Sequence, residues 1–86
     1  MMVNNKVLVI LYVPALDKEY NCFIPVNKKI QNVVNLLVKA LYEMNDDNFD
    51  LEHSHALYIK DSGKELNKNL RVRETNVRNA TELIII

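Results

Sequence analysis

The chain has 86 residues, 49% hydrophobic and 26% charged, which is the composition of one small globular domain and excludes both a disordered tail and a two-domain protein. Its eleven basic and eleven acidic side chains cancel, so no overall field draws it to nucleic acid or inserts it into a membrane surface. A single cysteine excludes an intrachain disulfide and an all-cysteine metal site and fits the cytoplasm, while a single glycine is too few for a phosphate-cradling loop.

Lys6–Val13 is an apolar run rich in β-branched residues. It is far shorter than the roughly 18 apolar residues that span a bilayer. No small-residue cleavage site follows at Pro14, Ala15, Leu16 and Asp17, so the run reads as a first strand and not as a signal peptide. A turn from Pro14 to Lys18 leads into a second strand at 20–24, ended by Pro25, which has no N–H for a ladder. After Asn27 the period becomes helical. Ile30, Val33, Val34, Leu37, Leu41 and Met44 recur at three- and four-residue steps, with Gln31, Asn32, Asn35, Lys39 and Glu43 on the opposite side. Asn27 is the expected N-cap; Lys28 and Lys29 sit badly with the positive end of the helix and hint at surface use. Residues 45–54 form an acidic loop with Phe49 and Leu51 tucked inward. A third strand at 56–60, a turn at 61–63 and a short fourth segment near 64–66 follow. Residues 67–75 are irregular, with Leu70 and Val72 as plugs, and a turn at 78–80 launches a last strand at 82–86. The whole chain, residues 1–86, is one α+β domain.

Chemistry-bearing residues are sparse. His53 and His55, two apart, would share one face of a strand near Asp50 and Glu52, but two histidines at a loop-to-strand junction read as surface residues, not metal ligands. The string from Asp46 to Asp50 lacks calcium-loop alternation. Cys22 lies within a predicted strand and reads as a small hydrophobe, and Ser54 and Ser62 have no nucleophile setting. No catalytic residue, metal or cofactor is expected. Lys60, Lys64, Lys68, Arg71, Arg73 and Arg78 make one stretch basic and Glu43 to Glu52 another acidic, a polarity able to orient a protein partner or to support head-to-tail association. No aromatic residue interleaves the basic stretch, so nucleic-acid binding is not expected. In the first strand both alternating sets, Val7, Val9, Leu11, Val13 and Leu8, Ile10, Tyr12, are apolar, and the last strand repeats this. One helix covers one face only, so the other set forms an exposed patch, the mark of a binding surface.

The element order resembles the β-grasp superfamily. Leu57-Tyr58-Ile59-Lys60 followed by Gly63-Lys64-Glu65-Leu66, and Asn76-Val77-Arg78-Asn79-Ala80-Thr81-Glu82-Leu83-Ile84-Ile85, resemble the third strand, turn and last strand of ubiquitin. Within that superfamily the chain resembles the small YukD/EsaB-type proteins of Gram-positive type VII secretion systems. The likeness lies in Lys6-Val7-Leu8-Val9-Ile10-Leu11, in Ile24-Pro25-Val26 leading into 29–37, and in an end on Leu83 to Ile86. The resemblance implies a ubiquitin-like fold, a mixed sheet of four to five strands with one amphipathic helix across one face. It also implies a bacterial, cytoplasmic, non-enzymatic accessory or regulatory factor of secretion. Ubiquitin and the sulfur carriers act through a Gly-Gly tail, and no glycine follows Gly63, so conjugation is not expected; four cysteines of a ferredoxin are lacking too.

In a β-grasp sheet the first and last strands are central neighbours and the third lies beside the last. Alternation then maps Leu8, Ile10, Tyr12, Tyr58, Ile84 and Ile86 onto one partner-binding face, with Tyr58 and Ile10 as anchors. The partner is a protein, such as a secretion component. The alternative is a self-associating structural subunit, a homodimer through the same face, and an enzyme centred on His53, His55 or Cys22 is the remotest reading.

Overall fold

Alternation in the first strand is realised as expected. The computed structural model describes residues 5–86, and in it Lys6–Val13 forms β1, with Val9, Leu11 and Val13 buried on one face and Leu8, Ile10 and Tyr12 partly covered on the other. Pro14–Leu16 makes a single 3-10 turn, and Asp17, at φ 50°, reverses the chain into β2, Lys18–Pro25. The helix α1 is Ile30–Met44, followed by β3, Leu57–Ile59, a 3-10 turn at Val72–Glu74, and β4, Thr81–Ile85.

The four strands form one mixed sheet in the order β2-β1-β4-β3. β1 pairs antiparallel with β2 and parallel with β4, and β3 pairs antiparallel with β4. The helix lies across one face, and its buried residues, Ile30, Val33, Val34, Val38 and Leu41, meet Val9, Leu11, Val13, Ile24, Leu57, Leu83 and Ile85 in the core. Among the described residues no helix is long and apolar enough to cross a membrane.

Several local expectations are corrected. Lys29, not Asn27, is the N-cap, and no side chain caps the helix. The loop following β3 does that work: Ile30 N–H donates to Leu70 O (2.8 Å) and Gln31 N–H to Lys68 O (3.1 Å), while Asn27 O accepts from the Arg71 guanidinium. Val38 is buried where Met44 was expected, because the inward stripe runs through Val34, Val38, Leu41 and Asn45, the last bonded to Lys18 and Tyr20 of β2, and turns Met44 outward to 58% exposure. Phe49 is buried, but Leu51 stays out at 47% exposure. Of the predicted plugs Val72 is fully buried and Leu70 only partly. The 64–66 segment is no full strand. It pairs with β3 through a single bridge, Tyr58 to Glu65, with Ile59 N–H donating to Lys64 O and Leu66 N–H to Leu57 O, both at 2.9 Å. Gly63 supplies the left-handed position (φ 69°) that the intervening turn requires.

The parallel strand β4 is launched by the 78–80 turn, which docks onto β1. Ala80, also left-handed at φ 69°, donates its N–H to Leu8 O (2.8 Å), and Asn79 Oδ1 accepts from Leu8 N–H (3.0 Å). A Cβ in this conformation costs about 1 kcal/mol. Ala80→Gly is therefore expected to raise stability by roughly 0.5 kcal/mol after the unfolded-state entropy of glycine is deducted. Chemical denaturation reads this directly, and a lower midpoint would show that Ala80 is unstrained.

Candidate functional site

The face of the sheet opposite α1 is set by register. Tyr12 lies beside Ile84, and Ile84 beside Tyr58, so three strands contribute one lateral row of large side chains. Ile86 follows on the same face, two residues beyond Ile84, where its backbone exchanges hydrogen bonds with Ala56 (2.9 and 3.1 Å). At the other end Leu8 lies opposite Phe23, and Ile10, between the two clusters, lies opposite Asn21 on one side and beside Glu82 on the other. All six residues expected on this face are thus brought to it, Ile86 exposed and the others half-buried.

Two features were not foreseen. Phe23, 62% exposed, belongs to the face and extends it onto β2. The signal was present in 20–24, where Tyr20, Cys22 and Ile24 form the inward set and leave Phe23 with Asn21 on the other. The face is also less uniformly apolar than the first and last strands suggested. Glu82 interrupts it, paired with Lys60 at 3.9 Å, and both side chains are about half-exposed. The apolar surface is therefore a bent strip, from Phe23 and Leu8 through Ile10 to Tyr12, Ile84 and Tyr58. The Tyr12 hydroxyl donates to Asp17 Oδ1 (3.0 Å), and this bond, with the nearby carboxylate charge, holds the phenol above its ordinary pKa. The ring is thereby pinned in place. The Tyr58 hydroxyl has no such partner among the described residues.

The remaining candidates do not converge. Cys22 is half-buried and burial pushes its thiol up, the reverse of an activated nucleophile. His53 and His55 lie in the loop before β3, not on it, with rings 3.7 Å apart. His55 is not the surface residue expected. It is buried, stacks on Phe49 with centroids 4.9 Å apart, and its Nε2–H donates to Asp50 O (2.7 Å), which fixes the tautomer; Nδ1 has no partner among the described residues. His53 is half-exposed and meets Asp50 Oδ2 at 2.9 Å; that contact, then the Glu52 N–H, holds the Asp50 carboxyl below its usual range. Among the described residues no three His, Cys, Asp or Glu side chains gather around one point. A groove of about 500 Å³ runs between α1 and this loop, lined by Val34, Val38, Tyr42, Leu51 and both histidines.

No protein-family model matches the chain. No curated protein matches it either. Solved structures do. The ubiquitin-like domain of EccD5 from Mycobacterium xenopi superposes with a TM-score of 0.77 at 16% identity, over 96% of this chain and 94% of that one. This chain has the ubiquitin-like β-grasp fold. The ubiquitin-like domain of the Mycobacterium tuberculosis type VII secretion protein ECCD1 matches with a TM-score of 0.73 at 13% identity, covering 94% of this chain and 97% of that one. A chain of the MycP5-free ESX-5 inner membrane complex matches over 96% of this chain, which spans only 21% of that longer one (TM-score 0.77, 16% identity). The fold has other settings as well: a toluene 4-monooxygenase complex holds a chain that matches with a TM-score of 0.73 at 9% identity.

Proposed function

We propose that this ubiquitin-like domain is a non-enzymatic, cytoplasmic protein-interaction module that serves a type VII secretion assembly as an accessory or regulatory factor and grips its protein partner with the outer face of the sheet. The observation that carries the reading is the row Tyr12, Ile84 and Tyr58, three large side chains from three strands on the face that α1 leaves uncovered. Side chains of this kind, set on rigid strands, bury apolar area with little loss of freedom, and a few such residues commonly hold most of the binding energy. The similarity to ubiquitin-like domains of secretion components supports the setting. The commitment of buried His55 to the Asp50 carbonyl and the unactivated Cys22 favour binding over catalysis.

The test is direct binding of the purified domain to soluble domains of type VII secretion components from the same cell, immobilised one at a time. At least one is expected to bind. Tyr58→Asp, which puts a charge in the middle of the row, is expected to weaken that binding at least about tenfold with the amide spectrum otherwise intact. Asn35→Asp, on the exposed side of α1, is expected to leave it unchanged. Binding that ignores Tyr58→Asp, or no binding to any component, would remove the assignment.

A further inference from the structure

The two edges of the sheet are unlike. Beyond β3 the edge is closed by the 64–66 segment, whose backbone takes up the Ile59 N–H and supplies the Leu66 N–H to Leu57 O, both at 2.9 Å. Beyond β2 no described residue pairs with the backbone. Which groups point there follows from the ladder. Val26 N–H donates to Asn5 O (2.8 Å), whereas Leu8 is turned from β2 toward β4, its O accepting from Ala80 N–H (2.8 Å) and its N–H donating to Asn79 Oδ1 (3.0 Å). In an antiparallel pair, bonded and open positions alternate. Phe23 lies opposite Leu8, Asn21 opposite Ile10 and Glu19 opposite Tyr12, so the peptide groups of Glu19, Asn21 and Phe23 point out of the sheet.

Natural sheets usually blunt such an edge with a bulge, a mid-strand proline, a short strand or charged side chains. This one has only the last, Lys18 and Glu19 at its first end. β2 runs for eight residues in unbroken one-to-one register with β1, its proline is the last residue, and Phe23 stands 62% exposed beside the open groups.

We propose that β2 pairs antiparallel with β2 of a second copy of this chain, about a two-fold axis through Asn21, so that two sheets become one. In that register Asn21 faces Asn21 of the other copy and Glu19 faces Phe23 in both directions, which satisfies every open N–H and C=O of the three residues with about six hydrogen bonds. The open residues are spaced evenly on either side of Asn21, so the strand is its own complement, as an isologous dimer requires. Charge agrees with this register: Glu19 meets a phenyl ring, Lys18 meets Ile24, and no like charges stand opposite each other. Phe23 of each copy lies on the same face as Leu8, Ile10 and Tyr12, so pairing also runs the two outer faces into one continuous surface. The proposal is independent of which protein that surface binds.

Solution mass of the full chain, measured by light scattering over a wide concentration range, tests it. The wild type is expected to pass from monomer to dimer. Asn21→Pro deletes an N–H that the monomer does not use, at a position edge strands accept, and is expected to remain folded by its amide spectrum and to stay monomeric throughout. Phe23→Glu sets like charges opposite Glu19 on both sides of the axis and is expected to weaken the dimer about tenfold, with Glu19→Lys added to it restoring association. If Asn21→Pro does not fold, the Phe23→Glu variant and its rescue decide. A wild type that stays monomeric would overturn the proposal and leave the edge to a strand of another protein. So would a dimer that survives both substitutions, or one broken by Tyr58→Asp alone, which would place self-association on the outer face.

Discussion

Leu83→Ala is expected to destabilise the domain by about 3 kcal/mol, the cost of a cavity where a fully buried leucine stood. Leu83 has no exposed surface and occupies the middle of β4, opposite Leu11 on one side and Ile59 on the other, so three strands line the void and none can move in without breaking register. A domain of this size has roughly 4–13 kcal/mol in all, and the loss corresponds to a fall in Tm of about 15 °C. Ile84→Ala, one residue on and on the outer face, is the control. It removes more methylene groups' worth of side chain than a β-branched valine swap would, yet it leaves a surface notch that water fills, and its expected cost is about 1 kcal/mol. Equal losses from the two substitutions would show that the outer face is packed as tightly as the core, and the binding-surface reading would lose its basis.

His55→Ala is expected to cost about 2–4 kcal/mol, whereas His53→Ala is expected to lie within about 0.5 kcal/mol of wild type. The two residues look equivalent in sequence. In the fold, His55 fills space against Phe49 and satisfies the Asp50 carbonyl, so its removal opens a cavity and strands a backbone acceptor. His53 is half-exposed, and its contact with Asp50 is a surface ion pair of the kind that contributes little. Thermal or denaturant unfolding of the two single variants measures the difference. A metal site would give the opposite pattern: comparable losses for both histidines, and in each case only when metal is supplied.

The N-terminus of α1 shows where reading by residue type stops working. Asn27 has the right chemistry for a cap and stands close to the first turn, but the backbone of 68–70, some forty positions downstream, reaches the first N–H groups instead. Capping is a local contest only when no distant carbonyl competes, and the irregular 67–75 stretch gave no sign that its carbonyls were committed to the helix. Met44 and Leu51 failed for a related reason. Each has the period or polarity of a core residue, but the buried stripe of α1 continues through Leu41 to Asn45 and leaves Met44 outside it, and in the loop Phe49 is buried while Leu51 is not. Phe23 was legible but needed a register to acquire meaning.

What the sequence determined by itself is what short-range periodicity encodes. β1 and α1, most of the helix's inward face, the hairpin, the turns at 61–63 and 78–80 and the α+β class all follow from alternation, a 3.6-residue period and turn chemistry within a few residues of each other. With the β-grasp likeness supplying strand order, alternation alone also gathered the six outer-face residues. Tertiary structure decided everything that depends on pairing between distant segments. It set which β2 peptide groups are left open, put Glu82 and Lys60 across the apolar strip, closed the β3 edge with 64–66, and buried one histidine while leaving its neighbour at the surface. The physical reason is the same in each case. A side chain's face is fixed by its own strand or helix, but its neighbours are fixed by the register and by the ends of the elements packed against it, and these are properties of the assembled sheet.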